Sequence, residues 1–234
     1  MERSSSPRSS PPRLLLSSNA DALNVKFPGV NYIPRKGLDN EPDNAKCKSA
    51  SEMQKDLYAL KSATDKVRIY SLIDCNQAEV ILPAPKNDSL KVDLGIWTTF
   101  NHDTLQKEKT KLAALIDSDL YDDNVVVFDA AIYMYVKFIA DTAISYVKEI
   151  CDYLRSRGEN TPVTLADTVN VYNDNHQLVD AVDYVSVNYF SFAYGDDMNE
   201  SVAKTLDDLK DLRVLAAKKG KKQFVISETA YQLG

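Results

Sequence analysis

The sequence predicts an α/β protein of the (β/α)8 barrel type, and three observations support that fold. Short runs rich in Val, Ile, Leu, Tyr and Phe alternate with longer segments whose apolar residues recur at helical spacing. The runs show little strict alternation, which is typical of parallel strands covered on both faces. The length of 234 residues suits a single barrel domain, since such barrels usually contain about 250 residues.

The β-rich runs define the predicted strands in order. They occupy residues 29–33, 66–71, 91–97, 124–130, 162–167, 184–190 and 223–230. No eighth run precedes residue 234, so the prediction is an incomplete barrel of about seven βα units, whose open sheet would expose an apolar edge. An open doubly wound sheet is the alternative, but it favours a Gly-rich turn after the first strand, and no G-x-G-x-x-G occurs in this chain.

The predicted helices lie between these strands and carry apolar residues spaced three and four apart. The linkers between the predicted helices and strands are short and polar, and no domain boundary is evident beyond residue 24. The apolar positions are Met53, Leu57 and Leu60; Leu112, Leu115 and Ile116; Ile144, Val147, Ile150 and Leu154; and Val202, Leu206, Leu209, Leu212 and Leu215.

Residues 1–24 predict a disordered leader rich in Ser, Pro and Arg, followed by the barrel domain over residues 25–234. The longest apolar stretch of the leader is Leu14–Leu16, which is too short for a signal peptide or a membrane span. No export signal is therefore evident, and no later segment predicts a membrane-spanning helix.

Charge and cysteine content exclude several classes of partner. A net charge of -6 and a pI near 5.0 argue against nucleic acid, which requires a basic surface. Cys47, Cys75 and Cys151 lie far apart with no C-x-x-C, so neither a zinc site nor a dense disulfide framework is predicted, although one bridge fits. The sequence predicts no cofactor and no metal site, and it does not indicate an oligomeric state.

The candidate site residues are polar and aromatic side chains at the predicted strand ends, because a barrel builds its site there. Glu228 is the least expected, since it ends an apolar strand and burying an unpaired charge is costly. The alternative to a functional role is a structural ion pair with a neighbour such as Arg68. The predicted substrate-binding residues are Tyr32, Tyr70, Asp74, Trp97, Asp167, Asn188, Tyr189 and Tyr231, whose rings and polar groups suit sugars.

Five blocks of sequence, in order, resemble family 17 of the glycoside hydrolases, the β-1,3-glucanases and glucanosyltransferases. They are GVNY at 29–32, VRIYSLIDCNQ at 67–77, LKVDLGIW at 90–97, VSVNYF at 185–190 and FVISETAYQLG at 224–234. The resemblance implies a (β/α)8 barrel that acts with retention through two glutamates, an acid/base at the end of strand 4 and a nucleophile at the end of strand 7. Glu228 matches the nucleophile, although Ala230 and Tyr231 replace the usual Gly-Trp.

The acid/base glutamate is missing from this sequence. Aligning the family motif V-G-N-E-A-L-Y on residues 127–133 without a gap places Ala130 on the glutamate and Asp129 one residue earlier, and a four-residue deletion fits almost as well. Asp129 is a weak candidate substitute, because adjacent strand residues point to opposite faces. Phe190 also replaces a histidine that the family usually carries after strand 6.

These observations predict a β-1,3-glucan hydrolase or glucanosyltransferase, acting on cell-wall glucan. Two alternatives stand beside it: a catalytically inactive glucan-binding protein, and a fragment of an incomplete gene model. An extracellular or cell-wall location is implied by the resemblance alone.

Overall fold

A computed structural model describes residues 26–38, 40–83, 90–132, 140–195, 197 and 199–229, with only the backbone described for residues 128–132 and 194. The predicted leader thus lies outside the described residues. The strands are β1 (Val30–Asn31), β2 (Lys66–Ile69), β3 (Lys91–Thr98), β4 (Val125–Ile132), β5 (Val163–Thr164), β6 (Ala166–Thr168), β7 (Val185–Asn188) and β8 (Phe224–Glu228).

All strand pairs are parallel and follow chain order. One sheet has the order β1-β2-β3-β4-β5 and the other β6-β7-β8. Only Leu165 separates β5 from β6, so these two are halves of the single strand that the sequence predicts at 162–167. Parallel neighbours require crossover connections, and helices supply them. The seven predicted strand positions are therefore confirmed.

The helices are α1 (Asp43–Lys46), α2 (Ala50–Leu60), α3 (Gln77–Ile81), α4 (His102–Asp117), α5 (Ala140–Ser156), α6 (Val169–Asp174), α7 (Gln177–Ala181), α8 (Ser201–Asp208) and α9 (Lys210–Lys218), with 3-10 turns at Asp74–Asn76 and Ser191–Tyr194. Ser49 and Glu52 form a reciprocal capping box that starts α2. Asn101 caps α4 through the N–H of Asp103. Within the described ranges, none of the helices combines the length and hydropathy that a bilayer span requires.

The core lies between the sheets and the helices. Successive turns of α4 and α5 bury Leu112, Leu115, Val147 and Ile150 against strands whose Val and Ile side chains are themselves buried. Gly95 in β3 is required by close packing, since a Cβ there would lie 2.2 Å from the carbonyl oxygen of Ile69 in β2.

The first and last strands approach each other without pairing their backbones in the described part of the chain. The side-chain Nδ2 of Asn31 in β1 donates to the carbonyl oxygen of Ser227 in β8 at 2.9 Å. Ile226, in the middle of β8, is 38 % exposed. Among the described strands β8 pairs with β7 alone, and the incomplete barrel stays a prediction.

Candidate active site

A large cavity opens at the carboxyl ends of the strands. Its volume is about 1680 Å³, which exceeds the range of about 300 to 1,000 Å³ of ordinary small-molecule pockets. Strands β3, β6, β7 and β8 and the segment that follows β2 contribute residues to it, and the sequence-predicted residues among them are Tyr70, Asp74, Trp97, Asp167, Asn188 and Glu228. The fold thus brings together six of the predicted site residues.

Glu228 ends β8 at this cavity and forms an ion pair with Arg68 of β2. The guanidinium Nη1 lies 2.8 Å from Oε1 of Glu228, and the side chains are 6 % (Arg68) and 21 % (Glu228) exposed. The guanidinium also lies over the ring of Tyr70, 4.7 Å from its centroid. The two interpretations of Glu228 from sequence therefore coincide: the carboxylate is ion-paired, and it lines the cavity.

A β-bulge sets the position of Glu228. Val187 pairs with Ile226 and Asn188 with Glu228, so Ser227 is the extra residue of β8. The Ser227 hydroxyl donates to Oδ1 of Asn188 at 2.8 Å, while its carbonyl accepts from Asn31. A bulge redirects the side chains beside it, and here it turns the end of β8 into the cavity.

Asp74 lies at the mouth of the cavity in the turn after β2. Its Oδ2 accepts from Nε of Arg35 at 3.0 Å. The next residue, Cys75, has a positive φ of 51° and is bonded to Cys47. The disulfide fits the single bridge that the sequence permits, and it holds this turn against the segment that carries Arg35.

Glu108 is a buried carboxyl that also lines the cavity, although it comes from α4 and not from a strand. It is 1 % exposed and accepts from the Ser71 hydroxyl at 2.5 Å, from the N–H of Leu72 at 2.7 Å and from the N–H of Trp97 at 3.5 Å. Burial raises the pKa of Glu108 to about 7, against the opposing effect of these donors. Glu108 therefore links the loops that follow β2 and β3.

Asp167 in β6 is the second carboxyl of the cavity with a raised pKa. Burial raises the pKa of Asp167 to about 6, although its Oδ1 accepts from the N–H of Thr168 at 2.7 Å. No cation contacts it among the described side chains.

Two predicted site residues do not reach the cavity. Tyr32 is 6 % exposed and its hydroxyl donates to Asp56 of α2 at 2.8 Å. Tyr189 is fully buried and its hydroxyl donates to Asp208 of α8 at 2.6 Å. Tyr189 follows the cavity residue Asn188, and adjacent residues of an extended chain point to opposite faces. The structure therefore assigns these two rings to the packing between strands and helices.

The side chains of two predicted site residues, Asp129 and Tyr231, lie outside the described part. The backbone of Asp129 pairs with Gly95 of β3, and that of Ala130 with Ile96, but their side chains are not described. Tyr231 lies beyond the described residues. The role of Asp129 as a substitute acid stays a prediction.

Sequence reasoning missed Glu108, although a signal for it exists. Glu108 is three residues after Leu105 and four before Leu112, both fully buried. A glutamate within the apolar stripe of a helix can be buried only together with hydrogen-bond partners, because an unpaired buried carboxyl group is costly. The position of Glu108 between Leu105 and Leu112 therefore predicts a buried carboxyl group with specific hydrogen-bond partners.

A parallel barrel-type fold with a carboxylate at the end of a strand is compatible with the barrel glycoside hydrolases, and comparison with known proteins places the chain within this class. Residues 29–232 match the family model of the BtgE/BtgC glycoside hydrolase domain. The chain belongs to this family. The resemblance to glycoside hydrolase family 17 is thereby confirmed, and a solved structure of that family shares the fold.

That solved structure is the family 17 β-1,3-glucanosyltransferase of Rhizomucor miehei. It superposes with a TM-score of 0.69 at 22% identity, over 87% of this chain and 71% of its own. An active-site mutant of the same enzyme, solved with laminaritriose, superposes with a TM-score of 0.68 at 22% identity, over 87% of this chain and 71% of its own. At this identity the likeness shows the fold.

Curated relatives are similar over most of the chain. It is 27% identical to the probable glucan endo-1,3-beta-glucosidase btgC of Aspergillus terreus, over 92% of this chain and 34% of the relative. It is also 27% identical to a glucan 1,3-beta-glucosidase of Saccharomyces cerevisiae, over 79% of this chain and 63% of the relative. The chain thus spans about a third of the length of the first of these relatives.

Proposed function

We propose that this chain is a carbohydrate-active domain of the β-1,3-glucan hydrolase or glucanosyltransferase type, with Glu228 as its retaining nucleophile. The observation that carries the proposal is the position of Glu228 at the carboxyl end of β8, where it is paired to Arg68 and lines a cavity that β3, β6 and β7 also line. The names of the curated relatives and of the R. miehei enzyme support β-1,3-glucan as the substrate class.

The cavity suits a segment of a polysaccharide. Trp97 is 41 % exposed at the end of β3, and Tyr70 and Phe190 add further aromatic surface to the lining. Sugar rings bind to such surfaces through their C–H faces, while Asn188 and Asp74 offer hydrogen bonds to hydroxyl groups. Tyr231, which follows Glu228 by three residues, extends this set as a proposal from sequence.

Arg68 gives Glu228 the properties that a nucleophile needs. The guanidinium balances the negative charge of the carboxylate and fixes Oε1, so the orientation of the group is set before substrate binds. In a retaining reaction the carboxylate attacks the anomeric carbon and a glycosyl ester forms, which water or a glucan hydroxyl then resolves.

A second candidate function is a catalytically inactive glucan-binding domain, because the sequence lacks the acid/base glutamate that the family carries at the end of strand 4. An extracellular or cell-wall location fits both functions. The Cys47–Cys75 disulfide supports it, since such bonds persist in oxidising compartments.

The test separates binding from bond cleavage in the whole chain. Trp97 is the single tryptophan of the sequence, so its fluorescence reports occupancy of the cavity directly. We expect laminaripentaose to change the emission in the wild type and in Glu228→Gln, and the wild type alone to release or transfer glucosyl units. Glu228→Gln should lower turnover at least ~10³-fold, whereas Glu200→Gln, at an exposed position, should not change it.

The outcomes distinguish the two functions. A fluorescence change without turnover in the wild type would establish the glucan-binding protein. No change with any β-1,3-glucan oligomer would overturn both.

A further inference from the structure

We propose that one wall of the cavity is a glucan-binding surface whose shape depends on the Cys47–Cys75 disulfide, so that the chain binds β-1,3-glucan tightly only in its oxidised form. This wall consists of residues 33–37 and 43–47, which follow β1, and of residues 71–77, which follow β2. The inference rests on the proposed function and adds to it a binding surface and the bond that controls that surface.

The wall lies between the proposed nucleophile Glu228 and the ring of Trp97. Strands β1, β2 and β3 are neighbours in that order, and Asn31 of β1 donates to the carbonyl oxygen of Ser227 in β8. The loops after β1 and β2 therefore come between the ends of β8 and β3, and a glucan that reaches from Glu228 to Trp97 passes along them. The wall residues that line the cavity include Ile33, Arg35, Lys46, Ile73, Asp74 and Cys75.

The surface of the wall offers the two kinds of contact that a sugar needs. Ile33 is 55 % exposed and Ile73 is 42 % exposed, and both line the cavity. Beside them, Nε of Arg35 donates to Oδ2 of Asp74 at 3.0 Å. Apolar side chains contact the C–H faces of sugar rings, and guanidinium and carboxylate groups offer donors and acceptors to hydroxyl groups. The wall is therefore suited to a neutral oligosaccharide.

The part of the wall that follows β2 is anchored from inside the fold. The Ser71 hydroxyl donates to Oε1 of the buried Glu108 at 2.5 Å and accepts from the N–H of Asp74 at 3.0 Å. The N–H of Leu72 donates to the other carboxyl oxygen of Glu108 at 2.7 Å. These bonds do not involve the disulfide, so this turn keeps its place when the disulfide is broken.

The part of the wall that follows β1 depends on the disulfide. Its two segments pair with each other, since the N–H of Lys36 donates to the carbonyl oxygen of Lys46 at 2.7 Å, and Cys47 then bonds this unit to Cys75 of the turn. The ion pair of Arg35 with Asp74 accompanies the disulfide, but its side chains are 32 % and 25 % exposed and solvent screens such a pair. Reduction therefore releases residues 33–37 and 43–47 from the turn.

Reduction and glucan binding then affect each other. A dithiol such as dithiothreitol supplies two electrons and two protons, the Sγ–Sγ bond breaks, and Cys47 and Cys75 become thiols while the dithiol closes to its own disulfide. Cys75 is half-buried and lines the cavity, where the reagent reaches it. Because coupling is reciprocal, tighter binding to the oxidised chain lowers the reduction potential by about 30 mV for each tenfold difference in affinity.

The experiment titrates laminaripentaose into the oxidised chain and into the dithiothreitol-reduced chain, with Trp97 emission as the readout and circular dichroism as the check of folding. We expect reduction to raise Kd at least ~10-fold, because the binding surface is no longer preorganised. Cys47→Ser/Cys75→Ser should bind as the reduced chain does. Cys151→Ser, which removes the free cysteine, should bind as the wild type does. In dithiothreitol redox buffers, saturating laminaripentaose should lower the potential by about 30 mV or more.

A disulfide that only stabilises the fold would not produce this pattern. If the reduced chain stays folded, a change in Kd of less than about threefold, or a potential that laminaripentaose does not move, would overturn the inference and leave the proposed function standing. If the reduced chain unfolds, Ile33→Ser in the oxidised chain decides. It should raise Kd at least ~3-fold, whereas Val202→Ser, at an exposed apolar position of α8, should not, and equal affinities would overturn the inference. If the oxidised wild type binds no β-1,3-glucan oligomer, the proposed function fails and the inference fails with it.

Discussion

Strands β3 and β8 both deliver a side chain to the cavity, Trp97 and Glu228, but they are built differently. β3 pairs with β2 and β4 along its edges, and Ile96 within it is fully buried. β8 pairs with β7 alone among the described strands, and its Ile226 is 38 % exposed. The strand that carries the proposed nucleophile is thus the less covered of the two.

The difference shows how polar contacts replace sheet pairing at β8. Arg68 holds the carboxylate of Glu228, and Asn31 holds the carbonyl of Ser227. Both contacts cross from the first two strands to the last. Strand β3 obtains its position from apolar burial, whereas β8 obtains the position of its functional end from side-chain hydrogen bonds.

The largest expected effect comes from removing the cation at β8. Arg68→Met should lower the free energy of unfolding by about 3–5 kcal/mol, because it leaves the carboxylate of Glu228 without its partner in a largely buried position. Urea denaturation measures the change. Lys36→Met, which breaks the exposed pair with Glu52, is the control and should change the stability little, because solvent screens exposed ion pairs. Equal costs for the two variants would show that the Arg68 pair does not hold β8.

The second prediction concerns the pH dependence of stability that arises from Glu108, which links the loops that follow β2 and β3. The pKa of Glu108 is raised from 4.5 to about 7, so the folded state binds the proton more tightly than the unfolded state. Its contribution to stability is present below about pH 4.5 and is lost as the pH rises through about 7. The size is of order 3 kcal/mol.

Glu108→Gln removes this titration and keeps acceptor and donor atoms for Leu72 and Ser71. The free energy of unfolding, measured from pH 4 to pH 8, should therefore fall less steeply with rising pH in Glu108→Gln than in the wild type. Glu200→Gln, at an exposed site, should leave the wild-type slope unchanged. A slope in Glu108→Gln identical to that of the wild type would contradict the raised pKa.

Sequence patterns predicted the strands and much of the cavity, because both follow from local rules. Runs of β-branched residues marked β2, β3 and β7, and the ends of those runs located Trp97 and Asn188. The alternation of side chains between the two faces of a strand was not used to decide which strand-end residues face the cavity, and two of them were therefore predicted wrongly. Tyr32 and Tyr189 lie at strand ends, but their hydroxyls contact Asp56 and Asp208 on the helices.

Long-range partners were the part that local patterns could not supply. The Cys47–Cys75 bond joins residues 28 apart, and cysteine counts alone do not give connectivity. Ser71 and Leu72 bond to Glu108 across more than 30 residues. The sequence predicted Arg68 as a possible partner of Glu228, yet only the fold, which brings the side chains of β2 and β8 together, determines their 2.8 Å contact.

The close packing of β3 against β2 can be tested by a substitution that should change the free energy of unfolding by a smaller amount. Gly95→Ala should lower the free energy of unfolding by about 1–3 kcal/mol. The added Cβ would lie 2.2 Å from the carbonyl oxygen of Ile69, and this backbone atom cannot move without shifting β2. Thermal unfolding with fluorescence detection measures it. Gly29→Ala is the matched control, since its Cβ would meet the flexible Cε of Lys66 at 3.1 Å, and it should be close to neutral. A neutral Gly95→Ala would mean that β2 and β3 can separate.

The smallest effect compares one substitution on the two strands directly. Ile96→Val removes a methyl group from a fully buried side chain of β3 and should cost about 0.5–1.5 kcal/mol. Ile226→Val removes the same group from a side chain of β8 that is 38 % exposed and should cost less than about half as much, because part of that surface already contacts water. Urea denaturation of both variants in one buffer gives the difference. Equal costs would show that β8 is covered in solution, by the chain itself or by a second molecule, and sedimentation at several concentrations would then separate these two cases.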